Sequence, residues 1–371
     1  MTYIKYSEYF IMECRVFRMD PDMEQYYTTA VSKICKYIHA NEVEKVKSII
    51  ENFYGKKESI MLAYVTAVQK GNPDIVKIFI ESGYIDINDL DYMFGETALM
   101  HAARYNHLDM VKYLLQRNAD VNRASSHGGL TTLHVAVNGL DKCAGSVGLI
   151  EELLKVDCIE LEIPNNQGMT PLMAASSLVK ESEVSCLLEA GCDMTAFNKK
   201  TGLSAPHYCM SSEYFLSYPA IIAGCFILFL RHRINPDFKD SCGVPLIGYA
   251  ILKGNFKILC QLVYANCDLD VIYTDCFEAS AVVHAIRRNH RFAKTMFDAG
   301  CDITKYQGTS VQQRLNELSQ NAPKSLKQLC RIGIRKCLGY YPHTKIHRTY
   351  LPKALQDFVL LRDFIGDVEL N

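Results

Sequence analysis

A stretch of thirteen residues occurs in this chain and then occurs again. Gly71-Asn-Pro-Asp-Ile-Val-Lys-Ile-Phe-Ile-Glu-Ser-Gly83 returns as Asn106-His-Leu-Asp-Met-Val-Lys-Tyr-Leu-Leu-Gln-Arg-Asn118, and more loosely as the segment from Gly254 to Asn266. In each copy the apolar residues fall at helical spacing. An internal repeat constrains a fold more than composition does, because a unit this short cannot bury its apolar face alone and must stack on its neighbours. The repeated helix closes on Gly83, Asn118, Gly191, Asn266 and Gly300, and Gly or Asn is what a left-handed helix C-terminus demands. Two further units close near Asp157 and Arg233. Successive closing positions lie 33 to 42 residues apart, which fits a unit of about 34 with insertions around Asn138 to Gly148 and Ser211 to Ala220.

The other half of the unit reads Gly95-Glu-Thr-Ala-Leu-Met-His-Ala-Ala103, Gly129-Leu-Thr-Thr-Leu-His-Val-Ala136 and Gly168-Met-Thr-Pro-Leu-Met-Ala-Ala175. These are helix starts: Thr97 or Thr170 caps free N–H groups, Pro171 suits the first turn, and paired alanines admit a second helix closely. They resemble the ankyrin T-P-L-H-x-A motif. The match is fair at Gly129 and Glu278 and weaker at Gly202 and Gly243, where Pro206 and Pro245 stand out of register. Val31 to Tyr54, with Val43, Val46, Ile49 and Ile50, reads as one more unit, giving about eight. Met1 to Tyr27 is placed to seal one end of the stack. The histidines at the motif position, His101, His134, His207 and His284, are expected to hydrogen-bond helix starts.

After Gln307 the repeat stops, and a polar stretch leads into a different sequence. From Ser325 the chain runs Ser-Leu-Lys-Gln-Leu-Cys-Arg-Ile-Gly-Ile-Arg-Lys-Cys-Leu-Gly339. Pro323 can open a helix there and Gly339 can close it. Leu326, Cys330, Ile334 and Leu338 are four apart and share one face, widened by Leu329 and Cys337. Lys327, Arg331, Arg335 and Lys336 lie opposite. The Ser-Leu, Cys and Ile spacing resembles the BC box of the SOCS box. That resemblance implies an Elongin C site made of Leu326, Leu329, Cys330, Ile334 and Leu338. Downstream, Ile346, Leu351, Pro352, Leu355, Phe358 and Val359 match the cullin box, implying a cullin-binding set of Ile346, Leu351, Pro352, Leu355 and Phe358. Thr349 and Tyr350 replace the usual first Leu-Pro of that pattern.

The array followed by this tail resembles the ankyrin repeat and SOCS box family over roughly residues 30 to 365. The expected fold is all-α: an ankyrin-repeat solenoid of about eight helix-turn-helix units, then a small three-helix SOCS box. The expected boundaries are 1–29 for an N-terminal extension, 30–310 for the array, 311–322 for a linker, 323–365 for the SOCS box and 366–371 for a tail. The resemblance implies a non-catalytic substrate adaptor that recruits Elongin B/C, cullin-5 and its RING subunit, and holds an unknown client on its concave face. The alternative is an ankyrin scaffold that recruits no ligase. Hairpin tips are the client-binding candidates: Tyr92, Met93 and Phe94; Ser126 and His127 beside Ser125; Asn166 between Asn165 and Gln167; Lys199 between Asn198 and Lys200. Tyr92 and Phe94 lead, since aromatics carry interface energy.

Charge supports protein partners. Lys+Arg at 40 against Asp+Glu at 41 leaves a net charge of -1, with no field that favours nucleic acid or an anionic membrane. Fifteen cysteines without a CxxC pair suggest a reducing compartment, and the expected location is the cytoplasm, with the nucleus second. Lys5, Glu8, Glu13, Arg15 and Arg18 interrupt any leader-like run. The longest apolar run, Ala220 to Leu230, is half a membrane span of about 20 residues and reads as a buried repeat helix. No catalytic constellation, metal site or cofactor motif is found: there is no HExxH, no phosphate-binding glycine loop and no zinc-finger pairing.

Overall fold

A computed structural model of the chain describes residues 21–53, 57–139, 146–212, 219–273, 279–288 and 290–301, with Gly339 and Gln356 as single positions. Its described helices fall into eight pairs. They are α1 (Pro21–His39) with α2 (Val43–Glu51), α3 (Lys57–Gln69) with α4 (Pro73–Glu81), α5 (Ala98–Arg104) with α6 (Leu108–Gln116), and α7 (Thr132–Asn138) with α8 (Ser146–Leu154). Then come α9 (Pro171–Ser177) with α10 (Glu181–Glu189), α11 (Ala205–Ser211) with α12 (Pro219–Arg231), α13 (Leu246–Lys253) with α14 (Phe256–Tyr264), and α15 (Ala281–Arg288) with α16 (His290–Ala299). A two-residue antiparallel pair, β1 (Ile272–Tyr273) and β2 (Ala279–Ser280), is the only regular strand pairing described. The all-helical repeat fold expected from the sequence is the fold found. The SOCS-box helices and the candidate residues on them lie outside the described residues.

The chain forms two units, 1–166 and 167–371. In the first, the leading helices α1, α3, α5 and α7 pack in one row and the trailing helices α2, α4, α6 and α8 in another. In the second, α9, α11, α13 and α15 form one row and α10, α12, α14 and α16 the other. Two-row packing follows from the apolar pattern, because each helix must cover its neighbour's stripe as well as its hairpin partner. Leu99 and Leu133 on leading helices and Val76, Leu114 and Leu153 on trailing helices are fully buried, each contributing about 2 kcal/mol by removal from water.

Local chemistry sets the ends. The Thr97 hydroxyl accepts from the Met100 N–H at 3.3 Å and that of Thr170 from Met173 at 3.4 Å. Asn72 and Asn255 cap α4 and α14 through Ile75 and Ile258. Gly83, Asn118, Gly191, Asn266 and Gly300 all have the left-handed backbone expected of them, and so does Arg233. The apolar run becomes α12, with Ile222, Ala223 and every residue from Cys225 to Leu230 buried. No described helix is long and apolar enough to cross a membrane.

The structure differs from the sequence reading in detail. The first helix begins by Pro21, across the position expected to separate extension from array. Pro206 and Pro245 still start helices: Pro206 sits in the first turn of α11, and Pro245 is the residue before α13.

Candidate functional site

Several hairpin tips are built around one buried polar side chain that accepts from N–H groups of the turn. In the first unit this is Asp91. One carboxylate oxygen accepts from Met93 and Phe94, both at 2.8 Å, and the other from the Glu96 N–H at 2.9 Å and His101 Nε2 at 2.9 Å. Burial pushes the Asp91 pKa up, but the His101 hydrogen bond and charge, with the backbone N–H groups of Phe94 and Glu96, hold it below its ordinary value. Arg104 pairs with the buried Glu96 behind the tip. The turn is thereby tied from within, and its apolar side chains point outward: Tyr92 and Phe94 are 44% and 45% exposed. The Phe94 ring meets His101 edge-on at 6.0 Å.

Neighbouring tips are joined backbone to backbone. The Ser126 N–H donates to Gly95 O at 2.9 Å, and the Asn166 N–H to Gly128 O at 2.9 Å. Ser125, buried, accepts from the Leu130 N–H, while Ser126 and His127 are exposed and bonded to one another. The expected tip residues Tyr92, Met93, Phe94, Ser126, His127 and Asn166 therefore fall on one row of consecutive tips in the first unit.

In the second unit Asn198 takes the central role. Its carbonyl oxygen accepts from the Lys200 and Thr201 N–H groups, and its amide donates to Gln167 O at 3.0 Å and to the Tyr208 hydroxyl at 2.8 Å. Lys199 and Lys200 are exposed on that tip. On the next tip Asp240 accepts from Cys242 and Val244 with one oxygen and from the Tyr249 hydroxyl with the other. Burial, and then that hydrogen bond, push the Tyr249 pKa well up. The Ser241 N–H donates to Gly202 O at 3.0 Å. Between these tips lies a feature the sequence reading passed over. Phe197, 44% exposed, stacks on Phe238 with ring centres 5.5 Å apart and planes 15° from parallel. The signal was present in the sequence, since each ring sits one or two residues before the Asn or Asp that organises its tip, whereas Tyr92 and Phe94 follow theirs.

Two of the motif histidines, His134 and His207, hold helix starts. Nδ1 of His134 faces the Thr131 N–H and hydroxyl, and Nδ1 of His207 those of Ser204, each completing a capping box at its helix start. His101 departs from this role, reaching the tip carboxylate of Asp91 instead. Among the described residues no group of three His, Cys, Asp or Glu is placed to hold a metal ion.

Of the C-terminal candidates, Leu326, Leu329, Cys330, Ile334, Leu338, Ile346, Leu351, Pro352, Leu355 and Phe358 all lie outside the described residues. Gly339, expected to close the first of those helices, has the left-handed φ of +66° that a closing glycine takes. Its carbonyl accepts from the Asn266 amide at 3.1 Å, joining this part of the chain to the turn after α14.

Comparison with known proteins agrees with this architecture. A family model described as ankyrin repeats matches residues 32–125 and 64–145. The ankyrin repeat domain of Bcl-3 superposes with a TM-score of 0.53 at 20% identity, covering 63% of this chain and 96% of that one, which shows the fold alone. Mouse neurogenic locus notch homolog protein 1 is 35% identical over 169 residues, 46% of this chain and 6% of that protein. E3 ubiquitin-protein ligase XBAT33 of Arabidopsis thaliana is 33% identical over 128 residues, 34% of this chain and 23% of that one. The chain thus spans a small fraction of these relatives. This is an ankyrin-repeat protein. A second family model, the SOCS box, matches residues 322–360, and the two domains together match the ankyrin repeat and SOCS box family.

Proposed function

We propose that this chain is the substrate-recognition adaptor of an Elongin B/C–cullin-5 RING ubiquitin ligase. On this reading it binds a client protein through the ankyrin tips and presents it for ubiquitination. The observation that carries the reading is the SOCS-box match at residues 322–360, following the ankyrin repeats in the chain. Ankyrin repeats alone serve many purposes, so the fold by itself does not choose among them. Both domain types are typical of adaptors without chemistry of their own. The repeats occupy about residues 30 to 310 and the recruiting module 323 to 365, with Leu326, Leu329, Cys330, Ile334 and Leu338 facing Elongin C and Ile346, Leu351, Pro352, Leu355 and Phe358 facing the cullin.

The mechanism is proximity. A client lysine held near a charged conjugating enzyme meets it at an effective concentration on the millimolar scale, and the rate is then set by geometry. One leucine buried in a partner pocket contributes about 2 to 3 kcal/mol, so its loss weakens a complex by about 30- to 100-fold. Leu326→Ala combined with Cys330→Phe is expected to abolish co-purification of Elongin B/C while leaving the helical circular-dichroism signal and its melting unchanged. Undiminished Elongin B/C recovery with the double variant would falsify the assignment. Because Thr349 and Tyr350 depart from the cullin-box pattern, the cullin is identified by offering cullin-5 and cullin-2 to the Elongin-bound chain in competition.

A further inference from the structure

The stacked pair Phe197 and Phe238 in the second unit defines a binding surface of its own. An exposed phenylalanine is unremarkable singly, but here two rings from successive hairpins are held nearly parallel. Phe238 is itself 5.6 Å from the ring of the fully buried His207. The outer ring therefore rests on a column anchored in the core, and a partner that covers it loses little side-chain freedom in doing so. Rigid aromatics of this kind are the usual anchors of protein interfaces.

Three exposed lysines stand within three residues of the rings in the sequence. Lys199 and Lys200 follow Phe197, and Lys239 follows Phe238; all three are exposed. Among the described residues Lys199 and Lys239 form no ion pair. The nearby carboxylates are engaged in turns: Asp240 is buried and accepts three hydrogen bonds, Asp193 accepts from Thr195, and Asp237 accepts from the Asp268 N–H.

We infer that this surface binds an acidic segment of a client protein carrying an apolar side chain that covers Phe197, with the client's carboxylates facing Lys199, Lys200 and Lys239. The inference rests on the reading of the array as the client-holding part, and it specifies the chemistry of what is held. A nucleic acid is the competing polyanion, but the chain as a whole carries a net charge of -1 and supplies no broad positive field for a phosphate backbone.

The test uses the full-length chain bound to Elongin B/C and a fluorescein-labelled peptide of glutamates and serines around one phenylalanine, read by anisotropy. Expected is saturable binding that weakens as salt rises. Phe197→Ala is expected to weaken it by about 10-fold, and Lys199→Glu with Lys239→Glu by at least about 10-fold. A peptide with lysines for glutamates is expected not to bind, and one with serine for phenylalanine to bind about 10-fold more weakly. Absence of binding at about 1 mM peptide, binding indifferent to Phe197, or preferential binding of oligodeoxythymidylate with the same residue dependence each overturns the inference. Elongin B/C retention in the same samples is scored separately. Its loss brings down the ligase reading while leaving the peptide result intact, and its persistence without peptide binding brings down this surface alone.

Discussion

One buried imidazole, His207, makes the second unit sensitive to acid. His207 is fully buried, its Nδ1 accepts from the Ser204 turn, and among the described residues the remaining nitrogen, Nε2, has no hydrogen-bond partner. Burial, opposed weakly by Asp240, lowers its pKa from 6.5 to about 4. The folded protein thus refuses a proton that the unfolded chain accepts. Stability is complete above pH of about 6.5 and falls as the pH drops towards 4, because only the unfolded state binds the proton in that interval. The loss amounts to about 3 kcal/mol. His207→Gln keeps an acceptor for the Ser204 N–H and removes the titration, so its urea midpoint is expected to fall less between pH 7 and pH 4.5 than that of the unmodified chain. Parallel slopes for the two proteins would contradict the account. The helix-start role of His207 was legible from its place in the motif. The role of His101 was not, because the competing acceptor, Asp91, stands ten residues earlier and only the folded hairpin brings it to 2.9 Å.

At the level of elements, what the sequence announces and what folding imposes separate cleanly. The Gly or Asn after five of the trailing helices marks their closing turns, and Thr97, Thr131 and Thr170 mark the starts of three leading helices, because both requirements are local. Val179 shows the other case. It has φ +55°, at the turn where sister pairs place Asn41, Gly71, Asn106 and Gly254; a β-branched residue disfavours that conformation, so nothing in its identity signals the turn, and the stacked neighbours hold it there. Tip-to-tip contact is likewise invisible to periodicity. Gly202 has φ +73°, and a Cβ added there would lie 1.7 Å from Ser241 Oγ and 2.9 Å from Ser241 Cβ, so this glycine permits both the turn and the bond from the Ser241 N–H. Gly202→Ala is expected to destabilise the chain by about 2 to 3 kcal/mol, combining left-handed strain with the clash. Adding Ser241→Gly removes the clash but not the strain, and thermal melting is expected to show recovery of about half the loss.

For the whole molecule, the proposed division of labour has a kinetic signature that separates it from a passive scaffold. If the tips hold the client and the C-terminal module holds the ligase, damage to each has a different remedy. Tyr92→Ala with Phe94→Ala removes two exposed aromatics from a tip that Asp91 ties from within, so the fold persists while client affinity falls, by about 30-fold if the pair contributes about 2 kcal/mol. In a reconstituted reaction with Elongin B/C, cullin-5, its RING subunit and a client captured by the intact chain, that variant is expected to be slow at low client concentration. It is expected to approach the full rate when client is raised about 30-fold, because mass action replaces the lost affinity. Leu326→Ala with Cys330→Phe is expected to be slow at every client concentration, since more client cannot restore an absent ligase, and to recover only as Elongin B/C is raised. A scaffold without ligase recruitment gives no client ubiquitination above the level seen without the chain, whichever component is in excess. The hydrogen bond from the Asn266 amide to the Gly339 carbonyl lies within the second unit and ties its repeats to a residue inside the SOCS-box match, so Asn266→Ala, which removes that donor, is expected to leave client affinity unchanged in the same assay.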